Sequence, residues 1–351
     1  MPAIAASRTF RTTDRHVAFE AGDKKQLNLI HVQGNSTPHK GPVLLVHGAG
    51  VRANIFRAPV RATVVDLLLD AGYDVWMENW RASIDFAANP YTLDQAAVYD
   101  HPRAVEKVVE ETGASEVKAI IHCQGSTSFT MSAIAGLVPR VTTIVSNAVS
   151  LHPVVPLAAS IKHRVAVPLI SQLTPYLDAQ WGRKQPHLLA RALNLFVNLT
   201  HHECDRPVCK WSSFIWGLGF PTLWRHENLN EETHAWLEDE FGAGSLAFFK
   251  QIGKCLRAGH LVPYELMDQL PADFTAQPPK TSARFAFFAG EENRCFLYES
   301  QVRTHAWFEK HRPAHHSLHI IPRYAHLDVF MGKNAYRDVL PLMVEELDRP
   351  N

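Results

Sequence analysis

The sequence predicts an α/β fold with a mostly parallel sheet, and three observations support this. Short apolar runs alternate with helical patterns along residues 40–150, which is typical of strands joined by helices. The same alternation resumes at residue 284, after a long helical stretch. The chain has 351 residues, of which 46% are hydrophobic, and this is enough for a large core. We therefore predict a first core part (1–150), an inserted helical cap (151–282) and a second core part (283–351).

The first core part begins with a predicted edge hairpin. Residues 15–34 alternate between polar and apolar side chains, and Gly22-Asp23 breaks the alternation near its centre. Apolar runs then predict four buried strands, and helical spacing predicts three helices among them. The strands are 42–46, 73–77, 117–121 and 141–149, and the helices are 60–71, 100–112 and 126–137. This order implies a parallel sheet with helices on both faces.

The second core part continues the same pattern. Apolar runs predict strands at 284–288 and 317–321, and helical spacing predicts helices at 299–310 and 335–346, the last with a kink at Pro341. The residues between the two parts are rich in Pro, Trp, Phe and Leu and have no strand–helix rhythm. An insertion at this place would cover the carboxyl ends of the strands, where α/β proteins hold their active sites.

Composition excludes several classes of function. Lysine plus arginine and aspartate plus glutamate both number 35, so no basic surface for nucleic acid is expected. No apolar stretch is long enough for a membrane span, and Met1–Asp23 lacks the apolar core of a signal peptide. Five scattered cysteines do not form a disulfide framework. We therefore expect a cytoplasmic protein, and a homodimer is left open.

The segment Val117–Thr127 contains the strongest candidate nucleophile. Cys123 follows a predicted buried strand and precedes a predicted helix, which is the layout of a nucleophile at a tight turn. The amino end of that helix would favour a thiolate and a developing oxyanion. Gly125 supplies the small residue that such a turn needs on one side, whereas Ile121 on the other side is large. A buried structural cysteine at the end of a core strand remains the alternative.

A second strand ends in a turn that could bind an oxyanion. The strand 42–46 runs directly into His47-Gly48-Ala49-Gly50. Glycines allow such a turn to direct backbone N–H groups into a cleft. In a nucleophilic enzyme this is where an oxyanion-hole donor belongs. An ordinary glycine-rich turn remains the alternative.

The predicted base and its orienting residue follow the last two strands. His326 follows strand 317–321 and precedes the final helices, so its imidazole could reach the cysteine. A base needs an acceptor for its other ring nitrogen. Asn293 and Glu292, in the loop after strand 284–288, compete for this role, and Asp328 is a more distant candidate.

Several segments together resemble the α/β-hydrolase superfamily, and its acid-lipase branch in particular. They are His47-Gly48, Ala71–Trp76, Tyr99–Ala104, His122–Gly125 and Ala325–Asp328. The resemblance implies an eight-stranded, mostly parallel sheet with a helical cap and no cofactor.

The resemblance also implies roles for individual residues. It places Cys123 at the nucleophile position, His326 at the histidine and Asn293 at the position of the family's aspartate. It assigns the oxyanion hole to the backbone N–H groups of Ala49 and Gln124. The turn would be supported by His47, Gly48, Gly50, His122 and Gly125. The chain departs from the family at Cys123, Ile121 and Asn293, and polyhydroxyalkanoate synthases and dienelactone hydrolases also carry cysteine at the turn.

A further group of polar residues lies in the predicted cap. His201-His202-Glu203-Cys204 and Cys209 have no spacing that is typical of a zinc site. A disulfide between the two cysteines is open, and the resemblance allows a cysteine pair in the cap. We expect a structural role for this group and no bound metal.

Three functional hypotheses follow. The first is a cysteine-dependent hydrolase of hydrophobic esters or thioesters, which acts through an acyl-thioenzyme. The second is an acyltransferase or polymerase of hydroxyacyl thioesters. The third is an inactive binding protein on a hydrolase fold. Each predicts a small, hydrophobic partner molecule rather than a macromolecule.

Overall fold

The computed structural model describes residues 12–217 and 223–350, and ten strands lie within them. They are β1 (Thr13–Glu20), β2 (Gln26–Gln33), β3 (Pro42–Val46), β4 (Asp74–Asn79), β5 (Val117–His122), β6 (Val141–Asn147), β7 (Tyr176–Asp178), β8 (Ala243–Ser245), β9 (Arg284–Gly290) and β10 (Ser317–Ile321). Each strand predicted in the two core parts is present. The first eleven residues, which include much of the segment considered for a signal peptide, lie outside the described residues.

Eight of the described strands form one sheet, in the order β1-β2-β4-β3-β5-β6-β9-β10. The edge hairpin β1–β2 and the pair β2–β4 are antiparallel. The other five neighbouring pairs are parallel. The prediction of an eight-stranded, mostly parallel sheet of the α/β-hydrolase type is therefore confirmed.

Fourteen α-helices lie in the described ranges. They are α1 (Val64–Asp70), α2 (Leu93–Gln95), α3 (His101–Thr112), α4 (Cys123–Ile134), α5 (Leu157–Ile161), α6 (Val167–Ile170), α7 (Leu188–Thr200), α8 (Pro207–Trp216), α9 (Glu231–Trp236), α10 (Leu246–Ala258), α11 (Glu299–His311), α12 (Asp328–Met331), α13 (Ala335–Asp338) and α14 (Leu340–Asp348). Short 3₁₀ or π turns span Ala53–Arg57, Ala96–Asp100, Lys162–Ala166, Ala179–Gly182, His226–Asn228 and Leu237–Asp239.

Three helices differ clearly from their predicted bounds. Helix α4 begins at Cys123 and ends at Ile134, whereas 126–137 was predicted. Helix α1 begins four residues later than predicted, because a capping box fixes its start. The Thr63 side chain accepts from the N–H of Asp66, and the Asp66 side chain accepts from the N–H of Thr63. The predicted helix 335–346 is two helices, α13 and α14. Pro341 lies in the first turn of α14, where its missing N–H does not interrupt an intrahelical bond.

The segment between β6 and β9, which we call the insertion (residues 148–283), contains α5 to α10 and the antiparallel pair β7–β8. It makes backbone hydrogen bonds to the loop that follows β10. The N–H of Leu327 donates to Leu223 O at 2.6 Å, and the N–H of Lys333 donates to Asn228 O at 2.7 Å. The boundaries 151–282 and the role of a cap stay predictions. None of the helices described is both long and apolar enough to cross a membrane.

The register of the central strands places the turns next to one another. Val46 of β3 pairs with Ile121 of β5, and His122 of β5 pairs with Asn147 of β6. Strands β3 and β9 are buried along their whole length. Because parallel strands end at the same edge, the loops after β3, β5, β6, β9 and β10 meet there.

Candidate active site

Cys123 occupies a strained turn between β5 and α4. Its φ is +58°, a left-handed value that a residue with a Cβ rarely adopts. The strand ends at His122, and the helix begins at Cys123 itself. Cys123 is buried, with 8% of its surface exposed. Strain of this kind at a strand–helix turn is typical of a nucleophile that is presented to a cleft.

Two glycines make room for this turn. A Cβ on Gly125 would lie 2.2 Å from the carbonyl oxygen of His47. A Cβ on Gly48 would lie 2.9 Å from the Cβ of Cys123. Ile121, which departs from the small-residue pattern, is fully buried within β5. The turn therefore depends on a close approach between the end of β3 and the start of α4.

We expect Gly125→Ala to destabilise the fold by roughly 1–3 kcal/mol, because the new methyl group would collide with a backbone carbonyl. Gly253→Ala is the matched control. Gly253 also lies within a helix, but a Cβ there would come no closer than 3.4 Å to another residue, which is ordinary contact. Denaturant unfolding of the two variants measures the effect. Equal behaviour of the two variants would show that the close approach at Gly125 is unimportant.

Two backbone N–H groups are directed at the sulfur of Cys123. Those of Ala49 and Gln124 hydrogen-bond to the thiol and favour its ionised form. Burial has the larger effect, and it raises the pKa of Cys123 to about 12. The thiol is therefore protonated at neutral pH. The two donors are the pair that the resemblance assigns to the oxyanion hole.

The side chain and backbone of Gln124 are both held in place. Tyr91 Oη donates to Gln124 Oε1 at 3.3 Å, and Ser128 Oγ donates to the carbonyl of Gln124 at 3.1 Å. Burial raises the pKa of Tyr91. These bonds restrain Gln124, whose N–H the resemblance assigns to the oxyanion hole.

His326 lies beside the sulfur. A ring nitrogen of His326 lies within 4.8 Å of Cys123 Sγ, and a ring nitrogen of His122 also lies within this distance. The rings of His122 and His326 are 4.7 Å apart, centroid to centroid. Nε2 of His326 is buried and has no hydrogen-bond partner among the described residues. Burial lowers the pKa of His326 to about 3, so the imidazole, like the thiol, is neutral at rest.

The amide of Asn293 determines the tautomer of His326. Asn293 Oδ1 accepts from the N–H of Cys295 at 3.0 Å and from that of Phe296 at 3.3 Å. Its Nδ2 therefore faces His326 Nδ1, at 3.0 Å. An amide nitrogen can only donate, so His326 Nδ1 accepts and the proton of the neutral ring lies on Nε2.

The other two candidates for orienting His326 have different partners. Glu292 pairs with Arg225 of the insertion, and its side chain is 40% exposed. Asp328 is buried and holds the histidine loop. It accepts from the N–H of Ala325 at 2.9 Å and from Asn228 Nδ2 at 2.5 Å. Burial raises the pKa of Asp328 to about 6. Of the three, Asn293 is the residue that contacts the ring.

The remaining predicted residues support the turn. His122 Nδ1 accepts from Asn147 Nδ2 at 2.8 Å, and the same amide donates to His326 O at 3.3 Å. His47 Nδ1 donates to Gly48 O at 2.5 Å. Gly50 has a φ of +67°, and a Cβ there would lie 2.5 Å from the ring of Trp216. The loop after β3 is therefore packed tightly against α8 of the insertion.

The insertion covers the reactive groups. Trp216, Leu223 and Phe241 line a small cavity together with Cys123 and His326, and its empty volume is about 250 Å³. Phe241 also lines a larger cleft of about 870 Å³ between the loop after β4 and strand β8. Phe241 is therefore common to the linings of the small cavity and the larger cleft.

A serine–histidine–carboxylate group is also present, away from Cys123, and sequence reasoning missed it. Nδ1 of His101 lies 3.0 Å from Oε1 of Glu78, and Nε2 of His101 lies 2.7 Å from Oγ of Ser128. All three side chains are fully buried, and the Ser128 hydroxyl donates within α4. Because a substrate cannot reach these buried side chains, they cannot act on one. The group instead joins β4, α3 and α4 beneath the turn.

The cysteines of the insertion are not joined. Cys204 and Cys209 are both free thiols, so the structure does not contain the disulfide that the sequence left open. They lie next to His226 and His234, which the sequence gave no reason to associate with them.

Comparison with known proteins gives partial relatives. The tear acid lipase-like protein of Mesocricetus auratus is 31% identical over 104 residues, which is 26% of each chain. The gastric triacylglycerol lipase of Mus musculus is 34% identical over 74 residues, which is 17% of this chain and 18% of the lipase. The matches span about a quarter or less of these relatives. No protein-family model matches the chain.

Solved structures match over almost the whole chain. An esterase from Thermogutta terrifontis has a TM-score of 0.56 at 13% sequence identity, and the match covers 95% of this chain and 98% of the esterase. A structural match at such low sequence identity shows that the two chains share a fold, and nothing about their activities. Together with the lipase relatives, it supports the resemblance to the α/β-hydrolase superfamily. The roles assigned to Cys123, Asn293 and His326 stay predictions.

Proposed function

Because this chain folds as an α/β-hydrolase, we propose that it hydrolyses carboxylic esters or thioesters of hydrophobic acids, with Cys123 as nucleophile. One observation carries this proposal. Cys123 lies at a left-handed turn, two backbone N–H groups are directed at its sulfur, and a ring nitrogen of His326 lies within 4.8 Å. These are the nucleophile, oxyanion donors and base of an acyl-transfer site.

The chemistry proceeds in two steps. The sulfur of Cys123 attacks the carbonyl carbon, and its proton passes to Nε2 of His326. The N–H groups of Ala49 and Gln124 stabilise the oxyanion that forms. The carbon–oxygen or carbon–sulfur bond of the leaving group then breaks, and the leaving group takes the proton from His326. Water, deprotonated by His326, attacks the thioester and releases the acid and the thiol of Cys123.

The hydrogen bond between Asn293 and His326 in the resting site opposes the first proton transfer, from Cys123 to His326. Nε2 of the neutral His326 already carries a proton, so it cannot accept another from the thiol without a change of tautomer. That change requires Asn293 to present its oxygen to Nδ1 and to release the N–H groups of Cys295 and Phe296. We propose that the orientation of the Asn293 amide controls how much of the enzyme is competent to react.

The surface of the insertion favours a hydrophobic substrate. Large apolar side chains are more than half exposed along α5 to α7, and five of them recur every four residues. They are Leu157, Ile161, Val165, Leu169 and Leu173, followed by Leu188, Leu195, Phe196 and Leu199. An exposed apolar surface of this kind is typical of a protein that meets other apolar surfaces. A lipid-like ester is the substrate that matches it.

The test is to trap the acyl-enzyme. The protein is incubated with p-nitrophenyl esters of increasing chain length, quenched in acid and digested, and the peptide of Cys123 is weighed. We expect acyl mass on Cys123 and release of free acid. Transfer of the acyl group to an added alcohol or hydroxyacyl thioester would instead favour the acyltransferase. Absence of any adduct with every ester would favour the inactive binding protein.

The pH dependence of alkylation reports the state of the thiol. Because the pKa of Cys123 is raised to about 12, its thiolate fraction grows about tenfold per pH unit across the range below that value. We expect the rate of iodoacetamide labelling at Cys123, followed by mass spectrometry, to rise in the same way from about pH 7 to about pH 10. A rate that is constant over this range would reveal a preformed thiolate–imidazolium pair and contradict the neutral resting state.

A further inference from the structure

Two thiols and two imidazoles meet in the insertion. The ligand atoms of Cys204, Cys209, His226 and His234 all lie within 4.8 Å of one another. Cys204 Sγ is 3.5 Å from His234 Nε2, and Cys209 Sγ is 3.4 Å from His226 Nε2. The side chains come from the loop after α7, from α8, from the turn at His226 and from α9.

These separations are those of a tetrahedral metal site. Zinc binds cysteine sulfur at about 2.3 Å and histidine nitrogen at about 2.0–2.1 Å, which places sulfur and nitrogen about 3.5 Å apart across a tetrahedral angle. Both sulfur–nitrogen distances agree with this value. Two thiolates would also neutralise the charge of a divalent cation, which suits a partly buried position.

We propose that Cys204, Cys209, His226 and His234 bind one zinc ion. Four protein ligands complete a tetrahedral shell, so the site is structural rather than catalytic. The two thiols bind as thiolates and release their protons. The backbone N–H of Arg206 donates to Cys204 Sγ at 3.3 Å, and such a bond stabilises a metal-bound thiolate.

The sequence did not predict this site because its ligands are widely and irregularly spaced. The pattern is Cys204-x₄-Cys209-x₁₆-His226-x₇-His234. Only the first two ligands belong to the group of polar residues that the sequence analysis considered, and the expectation of no metal rested on the spacing within that group, which includes His201 and His202. Neither of those two histidines belongs to the cluster.

The zinc ion would connect the elements that cover Cys123. Helix α8 carries both Cys209 and Trp216, and Trp216 lines the cavity above the sulfur. The turn that carries His226 also contains Asn228, which donates to Asp328 in the histidine loop. The metal would therefore hold these elements together over the active site, whether or not the protein hydrolyses esters.

Metal content of the full-length protein tests the site directly. The protein, produced without a histidine tag, is reduced, supplied with zinc and desalted. We expect one zinc per chain, and we expect cobalt in its place to give thiolate charge-transfer absorption. At zinc concentrations about 1,000 times the Kd, the melting temperature should rise by about 5 °C over that of the metal-free protein. Folded wild-type protein that binds neither metal would overturn the proposal, as would a Cys204–Cys209 disulfide in the native protein.

Variants identify the ligands. Cys209→Ser and His234→Gln should each lose the zinc or the cobalt charge-transfer spectrum. Cys255→Ser and His202→Gln, which change a thiol and an imidazole outside the cluster, should keep one zinc per chain. His122, Cys123 and His326 also lie within 4.8 Å of one another, so Cys123→Ala is included, and it should keep the zinc as well. Loss of zinc from Cys123→Ala, with retention in His234→Gln, would place the metal at the active site and refute the proposal.

Discussion

Cys123→Ala is expected to reduce ester hydrolysis by at least about 10³-fold, because it removes the atom that forms the covalent intermediate. The fold should be little affected, since Ala and Cys are similar in size. The measurement is kcat/KM on the best ester, together with thermal unfolding.

The matched control for this variant is Cys255→Ala. Cys255 is likewise a buried free thiol, but it lies on α10 and its sulfur accepts from the N–H of Val262 at 3.4 Å. It should keep full activity. If Cys123→Ala hydrolysed esters as fast as the wild type, the catalytic role of Cys123 would be refuted. Ester hydrolysis would then depend on a nucleophile other than Cys123.

Asn293→Asp is expected to raise kcat/KM by about 10- to 100-fold. A carboxylate can accept the N–H groups of Cys295 and Phe296 and also the Nδ1–H of His326. It therefore stabilises the tautomer whose Nε2 is free to accept the thiol proton. A negative charge beside the ring also raises the pKa of His326 from its lowered value of about 3.

Two further measurements separate this explanation from a general effect of charge. Asn293→Leu keeps the size of the side chain but cannot hydrogen-bond, and it should not share the gain. The pH profile of kcat/KM should shift most in Asn293→Asp, because only that variant places a negative charge beside His326. A fall in activity on changing Asn293 to Asp would show that the wild-type amide already presents its oxygen to His326, and our account of the resting tautomer would be wrong.

Much of the core could be predicted because its signals are local. The runs at Val43–Val46 and Phe285–Phe288 are buried along their length, and such strands are recognised by apolar residues alone. The positions of Cys123, His326 and Asn293 followed from where each lies after a strand. Parallel strands end at one edge, so the order of elements was enough to bring these three residues together.

Other features depended on contacts between distant segments. The sequence suggested both Glu292 and Asn293 as the residue that orients His326. Only the ion pair between Glu292 and Arg225 of the insertion shows that Glu292 has a different partner. The buried group of Glu78, His101 and Ser128 had no signal in the sequence, because its members belong to three different elements. Likewise, His226 and His234 lie beside Cys204 and Cys209 only in the folded chain.

The sequence by itself determined the sheet, the turn at Cys123 and the identity of the residues around it, since apolar periodicity and small residues act over a few positions along the chain. Only the tertiary structure decided the protonation state of those residues, which way the Asn293 amide points and which side chains surround Cys204 and Cys209. The physical reason is that burial, hydrogen-bond direction and metal geometry depend on atoms that are close in space and far apart in sequence.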